Sequence, residues 1–249
     1  MKLYYKDYEF PSYQINDNGY LIPWNNDTEK YIKCHSNEVS NYVINAEDNT
    51  PYFQEANVLT KINVNEEGYF DFNKAIIDIG AHAGYYSFRS NFKYACAFEP
   101  NKVMYTFLNM NLFMHDKLEN SQTYNVLLSN DIEDIKFDGF NTLLTDQDTY
   151  ILKHETEESI KPHTLDEYNC TNVGLIKVDV EGMEEKVLRG GIGTIIRNNY
   201  PPILFELWEV GFSNMTQEKY DSLKNFLENF GYTIYWNWGD YETHLAIHS

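Results

Sequence analysis

The chain has 249 residues, a formal net charge of −19 and a pI near 4.6. That length suits one large domain, or one domain with an extension, and 43% hydrophobic residues exclude a disordered chain and allow a substantial core. So acidic a chain repels phosphate backbones and anionic headgroups, and its Lys and Arg are scattered rather than gathered in a patch, which argues against nucleic acid as a partner.

Residues 1 to about 50 are polar, with turn signals at "NDNG" and "IPWNND" and short strands expected at "YIKC" and "NYVIN". They read as an N-terminal extension, either a cap over a substrate site or an annex covering a sheet edge. The opening "MKLYYKDYEFPSYQ" has no apolar core of signal-peptide length, and no stretch is long enough to span a bilayer. Cys34, Cys96 and Cys170 form an odd set without paired spacing. Reduced thiols in a cytoplasmic protein are the expectation.

From Pro51 the pattern changes. "PYFQEANVLTKI" predicts a helix opened by proline, and "KAIIDIG" a short apolar strand. "YACAFEP" is a second strand, and "NKVMYTFLNMNLFMHD" has helical apolar spacing. "TYNVLLS" reads as a third strand, with "DIKFDGF" and "TYILKH" as a hairpin insertion. "GLIKVDV" is a fourth strand, followed by a helix "MEEKVLRGG" ended by its glycines. "PPILFEL" is a fifth. "TQEKYDSLKNFLENFG" predicts a helix capped by Thr216 and stopped by Gly231. "YTIYWNW" and "THLAIHS" then suit an antiparallel hairpin at a sheet edge, joined by "GDYE". Strands alternating with helices predict an α/β fold, a doubly wound and mostly parallel sheet with ligands beyond the carboxyl ends of its strands.

"IIDIGAHAGYYS" places Asp78 near the end of the first strand, and Gly80 and Gly84 around the turn into a helix. Glu99 ends the second strand, where a carboxylate can accept hydrogen bonds from both hydroxyls of a ribose. A dinucleotide site would need G-x-G-x-x-G to admit pyrophosphate. The spacing here is G-x-x-x-G, which suits S-adenosylmethionine.

"IIDIGAHAGYYS", "AFEPN", "TLDEY", "IKVDVEGMEEKVLRGG" and "PPILFEL", in this order, closely resemble the FkbM family of S-adenosylmethionine-dependent methyltransferases. The resemblance covers roughly residues 51–249. It implies a class I (Rossmann-like) methyltransferase fold, a seven-stranded sheet ending in an antiparallel hairpin, and O-methylation of sugar or natural-product hydroxyls. It also implies that Asp78, Gly80, Gly84 and Glu99 hold the cofactor, with His82 standing where the family often has Asn. "NVLLSN" aligns with the adenine-side loop, so Leu128 and Ser129 join the cofactor candidates.

"LIKVDVEG" interrupts a buried strand with charge at alternate positions. Strand residues two apart point the same way, so Lys177, Asp179 and Glu181 share one side, and Glu206 ends the neighbouring strand. A sugar hydroxyl must lose its proton as it attacks a sulfonium methyl, and Asp179 is the first choice as base because clustered acids raise one another's pKa, with Lys177 orienting it or stabilising the developing alkoxide. A divalent metal such as Mg²⁺, held by Asp179, Glu181 and Glu206, is the other reason to gather three carboxylates. A buried structural ion pair is the plain alternative. Glu184 is expected to face solvent.

Other signals carry less. His163 reads as a surface loop residue, and His244 as a strand-edge packing residue or a second base. Trp208, Trp236 and Trp238 are core aromatics or sugar-stacking surfaces. The order in "NYPPIL" differs from the Asn-Pro-Pro-aromatic loop of amino-methyltransferases. The leading expectation is an enzyme acting on a small-molecule or glycan acceptor. The alternatives are a catalytically inactive cofactor- or glycan-binding module, and a nucleotide-dependent oxidoreductase.

Overall fold

The computed structural model describes residues 53–131, 135–137, 158–211 and 215–249, together with five strands in the first fifty residues. Those five are β1 (Leu3–Tyr5), β2 (Tyr8–Phe10), β3 (Tyr13–Asn16), β4 (Gly19–Trp24) and β5 (Asp27–His35). β1 and β2 pair antiparallel, and β3-β4-β5 form an antiparallel meander. The pairing of β3 with β4 closes at Asn16 and Gly19, and that of β4 with β5 at Trp24 and Asp27. The expected strands "NYVIN" and "TYILKH" lie outside the described residues.

The main domain begins with α1 (Phe53–Val64), then β6 (Ala75–Ile79), α2 (Tyr85–Arg89), β7 (Tyr94–Phe98), α3 (Lys102–Met114) and β8 (Ser121–Tyr124). A short antiparallel pair follows, β9 (Ile135–Phe137) with β10 (Glu158–Ile160). Then come β11 (Val173–Val178), α4 (Glu184–Arg189), α5 (Ile192–Arg197), β12 (Ile203–Glu206), α6 (Gln217–Asn229), β13 (Tyr232–Tyr235) and β14 (Thr243–His248). Seven strands form one sheet in the order β13-β14-β12-β11-β6-β7-β8. β8, β7, β6, β11 and β12 are mutually parallel, and β14 runs against both of its neighbours.

Period-two alternation builds a core on each face. Ile77, Cys96, Phe98, Ile176, Ile203 and Phe205 meet Leu188 of α4, Ile195 of α5 and Leu223 and Leu227 of α6 on one side. Ile76, Ala95, Leu175, Leu204 and Leu245 meet Val58, Leu59 and Ile62 of α1 on the other. The second set fixes the site. Asp78, Lys177 and Glu206 each lie two residues beyond a member of it, so they share that face at the carboxyl end of the sheet.

Two expectations need correction. The third strand lies at Ser121–Tyr124, upstream of the apolar "NVLLS". The apolar side chains of Leu127 and Leu128 are buried in a loop instead, where Leu128 forms a lone bridge with His163. The partner of β9 is Glu158–Ile160. The glycines do end α4, with Gly190 as its C-cap; the unexpected feature is that α5 follows at once, its N-terminus held by Asp166 of "TLDEY", which accepts from Gly193 N at 2.9 Å and Thr194 N at 2.5 Å. The cap on α6 is as predicted, with Thr216 accepting from Lys219 N and Gly231 at φ +83°.

Candidate active site

The turn after β6 is held from below. Gly80 N and Ala81 N both donate to Phe98 O at 3.0 Å, Gly84 N donates to Ala81 O at 2.7 Å, and the buried Asn111 amide donates to Ala83 O at 2.8 Å. Gly80 has φ +68°, and a Cβ there would land on the carbonyl oxygen of Asp179. Only glycine lets this turn lie directly against the end of β11. His82 also adopts a left-handed conformation, φ +50°, and its N–H donates to Glu99 Oε2 at 2.8 Å. Asn101 N donates to Glu99 Oε1 at 2.8 Å. Burial pushes the Glu99 carboxyl up to about 7 and the His82 imidazole down to about 4, with Asp179 opposing the latter.

Lys177 answers the question of charge in a buried strand. Register places it beside Asp78 on β6. Its ammonium lies 3.5 Å from Asp78 Oδ1 and 3.2 Å from Asp179 Oδ2, and donates to Gly80 O at 3.0 Å. It also sits 5.3 Å from the centre of the Tyr86 ring. Asp78 is fully buried, and its other oxygen accepts from Ser87 Oγ at 2.6 Å. One cation therefore ties the glycine turn to the acids at the end of β11.

The strand ends at Val178, so Glu181 does not reach the site by strand periodicity. A tight turn brings it back: Glu181 has φ +58° and Gly182 φ +93°. Holding a non-glycine residue there costs on the order of 1–3 kcal/mol. Glu184 offsets that strain. It is buried rather than solvent-facing, because its Oε1 accepts from Val180 N at 3.2 Å and Gly182 N at 3.0 Å. The carboxylate closes the turn.

Asp179, Glu181 and Glu206 each offer an oxygen within 4.8 Å of the others. Their titration is pushed apart. Contrary to expectation, the clustered acids do not raise the pKa of Asp179: burial pushes it up, but Lys177 and a hydrogen bond with Glu206 more than reverse this and leave it below the usual carboxylate range. Burial and the Asp179 charge push Glu206 up to about 10 and Glu181 up to about 8. The environment thus favours the proton on Glu206 and the charge on Asp179. Beside them opens a cavity of about 80 Å³, lined by Tyr86, Lys177, Asp179, Phe205, Glu206, Tyr241 and Glu242 among others. It has room for a few water-sized groups.

The β13–β14 connection forms the outer wall. Asp240 Oδ1 accepts from Glu242 N at 3.0 Å and Thr243 N at 2.6 Å. His244 is buried, its Nδ1 accepting from Asn237 N at 2.9 Å and its Nε2 lying 3.2 Å from Leu207 O. Both ring nitrogens hold backbone, so His244 is a structural pin and its candidacy as a base lapses. Trp208 and Trp238 are buried in the core and Trp236 stacks on Tyr220. The exposed aromatic at the cavity is Tyr241, 58% accessible. "GDYE" gave only a turn signal in the sequence, so Tyr241 and Glu242 were not anticipated. Leu128 and Ser129 stand apart from the acids. Leu128 packs in the core, and Ser129 Oγ bonds Asp131 Oδ2 at 2.8 Å. His163 pairs with Glu167 at the surface, as expected.

The sheet order, the glycine turn and the acids at the carboxyl ends define a class I methyltransferase fold. The chain belongs to the FkbM methyltransferase family: the model of the methyltransferase FkbM domain matches residues 78–234. Among solved structures it resembles the FkbM methyltransferase of Methylobacillus flagellatus KT, at 15% identity and a TM-score of 0.51, over 76% of this chain and 47% of that one. The chain thus spans about half the length of that protein. A precorrin-6y C5,15-methyltransferase from Geobacter metallireducens GS-15 aligns at 15% identity and a TM-score of 0.46, over 83% and 93% of the two chains. A ribosomal protein L11 methylase from Lactobacillus delbrueckii subsp. bulgaricus aligns at 10% and 0.44, over 79% and 78%. A search of curated proteins finds no match. Among the described residues no helix is long and apolar enough to cross a membrane.

Proposed function

We propose that this chain transfers a methyl group from S-adenosylmethionine to a hydroxyl of a sugar or glycoconjugate, with Asp179 as the general base. The observation that carries the reading is the position of Asp179. Its backbone abuts the Gly80 turn and its carboxylate is held anionic by Lys177, at the edge of a cavity. Residues 51–249 would form the catalytic domain and residues 1–50 an acceptor cap.

S-adenosylmethionine supplies an electrophilic methyl on a sulfonium. The chain must align a hydroxyl with it and remove one proton; alignment contributes roughly 7–11 kcal/mol and a positioned base about 10²–10⁴-fold. Gly80, His82 and Gly84 would line the cofactor turn. Glu99 keeps a lone pair on each oxygen for ribose hydroxyls after binding His82 N–H and Asn101 N–H. The Leu128–Ser129 segment would offer its backbone to the adenine side. Asp179, stabilised by Lys177, is a weak base, so it takes the proton late, as the oxygen–carbon bond forms. Glu206 shares its own proton with Asp179 and orients it. Tyr241 would stack the acceptor ring over the cavity.

A second reading is favoured by the 4.8 Å grouping of Asp179, Glu181 and Glu206. Three oxygen donors suit Mg²⁺ or Ca²⁺, which would acidify a bound hydroxyl. Glu206 and Glu181 would then lose their protons on binding.

The test is incubation of the enzyme with labelled S-adenosylmethionine and a panel of oligosaccharides. A gain of one methyl on an acceptor hydroxyl supports the reading. Labelling of an amine or a carboxylate, or tight binding of NAD in place of S-adenosylmethionine, would overturn it. A full rate in excess chelator would exclude the metal.

A further inference from the structure

Cys96 and Cys170 lie outside the candidate site. Cys96 is on β7, facing the same core as Phe98, and Cys170 is in the irregular segment leading to β11. Both are buried free thiols, 74 residues apart in sequence, and their sulfurs are in direct contact across the β7 edge of the core. The two are unequal. Its bond with Cys96 and the charge of Arg197 hold the Cys170 thiol below its usual range, against burial. The same bond together with burial pushes Cys96 well up. The Arg197 charge favours the thiolate at Cys170. Cys170 also has a route to solvent: its neighbours Asn169 and Thr171 are exposed, so a small local opening uncovers it.

We propose that Cys96 and Cys170 form an oxidation site, which a peroxide closes into an intramolecular disulfide. The Cys170 thiolate attacks one peroxide oxygen and the O–O bond breaks, leaving a sulfenic acid. The Cys96 sulfur then attacks the Cys170 sulfur, the S–O bond breaks and water leaves. Two thiols lose two electrons and two protons, and the peroxide is reduced to two waters. The bond ties β7 to the segment before β11, across β6. Phe98 stacks on Tyr124 and meets Tyr168 edge-on, so the link brackets the aromatic cluster beneath Glu99. The cross-linked chain unfolds at a higher temperature because its closed loop restricts the unfolded state.

The experiment treats the native protein with hydrogen peroxide, measures intact mass and Tm, and then alkylates the remaining thiols to map the peptide linkage. The expected result is a loss of about 2 Da in both wild type and Cys34→Ser, and a peptide joining residues 96 and 170. Tm should rise by about 5–10 °C, reversibly under dithiothreitol. Cys170→Ala, which preserves a small apolar side chain, should show neither the loss nor the rise. A linkage through Cys34, disulfide-linked dimers, oxygen addition without loss of the two hydrogens, or unchanged mass would each overturn the proposal.

Discussion

Lys177 on β11 and Asp78 on β6 are register partners, with the ammonium 3.5 Å from the buried Asp78 Oδ1. Asp179 lies 3.2 Å from the same ammonium. Replacing Lys177 by Met leaves two carboxylates without their cation, a change that costs about 3–5 kcal/mol in comparable buried pairs. Denaturant titration should show that loss. Asp179 would also titrate higher, so the acid limb of the pH–rate profile should move to higher pH. An unmoved limb would mean that Lys177 does not set the state of the base.

Stability should depend on pH through the acids. Glu99 and Glu184 titrate near 7, Glu181 near 8 and Glu206 near 10, against an ordinary 4.5. Their folded values are raised, so the native state holds more protons than the unfolded chain from 4.5 upward. The stabilisation is full below 4.5 and is lost as pH rises through each folded value. Tm should therefore fall between about pH 5 and pH 9. Glu206→Gln, which cannot ionise, should flatten the upper part of that slope. A Tm that rises across this window would contradict the assignment.

The Gly80 turn tolerates no side chain. Gly80→Ala adds a Cβ where the Asp179 carbonyl stands, at a positive φ that alanine adopts poorly. Calorimetry should find S-adenosylmethionine binding abolished or the domain unfolded. Gly182→Ala meets nothing within 4 Å but also has a positive φ, +93°, and should cost about 1–2 kcal/mol.

Tyr241 tests the acceptor wall. Tyr241→Ala should raise the acceptor KM roughly tenfold, as expected when an aromatic contact of about 1.5 kcal/mol is lost. kcat and cofactor affinity should be unchanged, and Tyr241→Phe should behave like wild type. An unchanged KM in Tyr241→Ala would remove the ring from the acceptor site.

The strands at the centre of the sheet were legible because both faces are buried and their sequences are apolar runs. β8 was misplaced for the opposite reason. It is an edge strand of polar residues, Ser121–Tyr124, beside a loop whose Leu127 and Leu128 are buried as a strand's would be. The glycine turn after β6 and the convergence of Lys177, Asp179 and Glu206 followed from strand periodicity and the rule for ligand placement. Glu181 arrived in the same cluster by a left-handed turn, which period-two reasoning does not describe. The burial of Glu184 depends on two backbone donors in a neighbouring loop, and the pinning of His244 on Asn237 N and Leu207 O. Partners of that kind leave no mark in local sequence.

In the proposed reaction Asp179 removes the acceptor proton beside bound S-adenosylmethionine. Asp179→Asn keeps the size of the side chain and removes the base. Single-turnover methyl transfer to a glycan acceptor, measured with cofactor binding on the same samples, should show the rate reduced about 10²–10⁴-fold with S-adenosylmethionine affinity retained. Turnover at the wild-type rate, with binding intact, would contradict it.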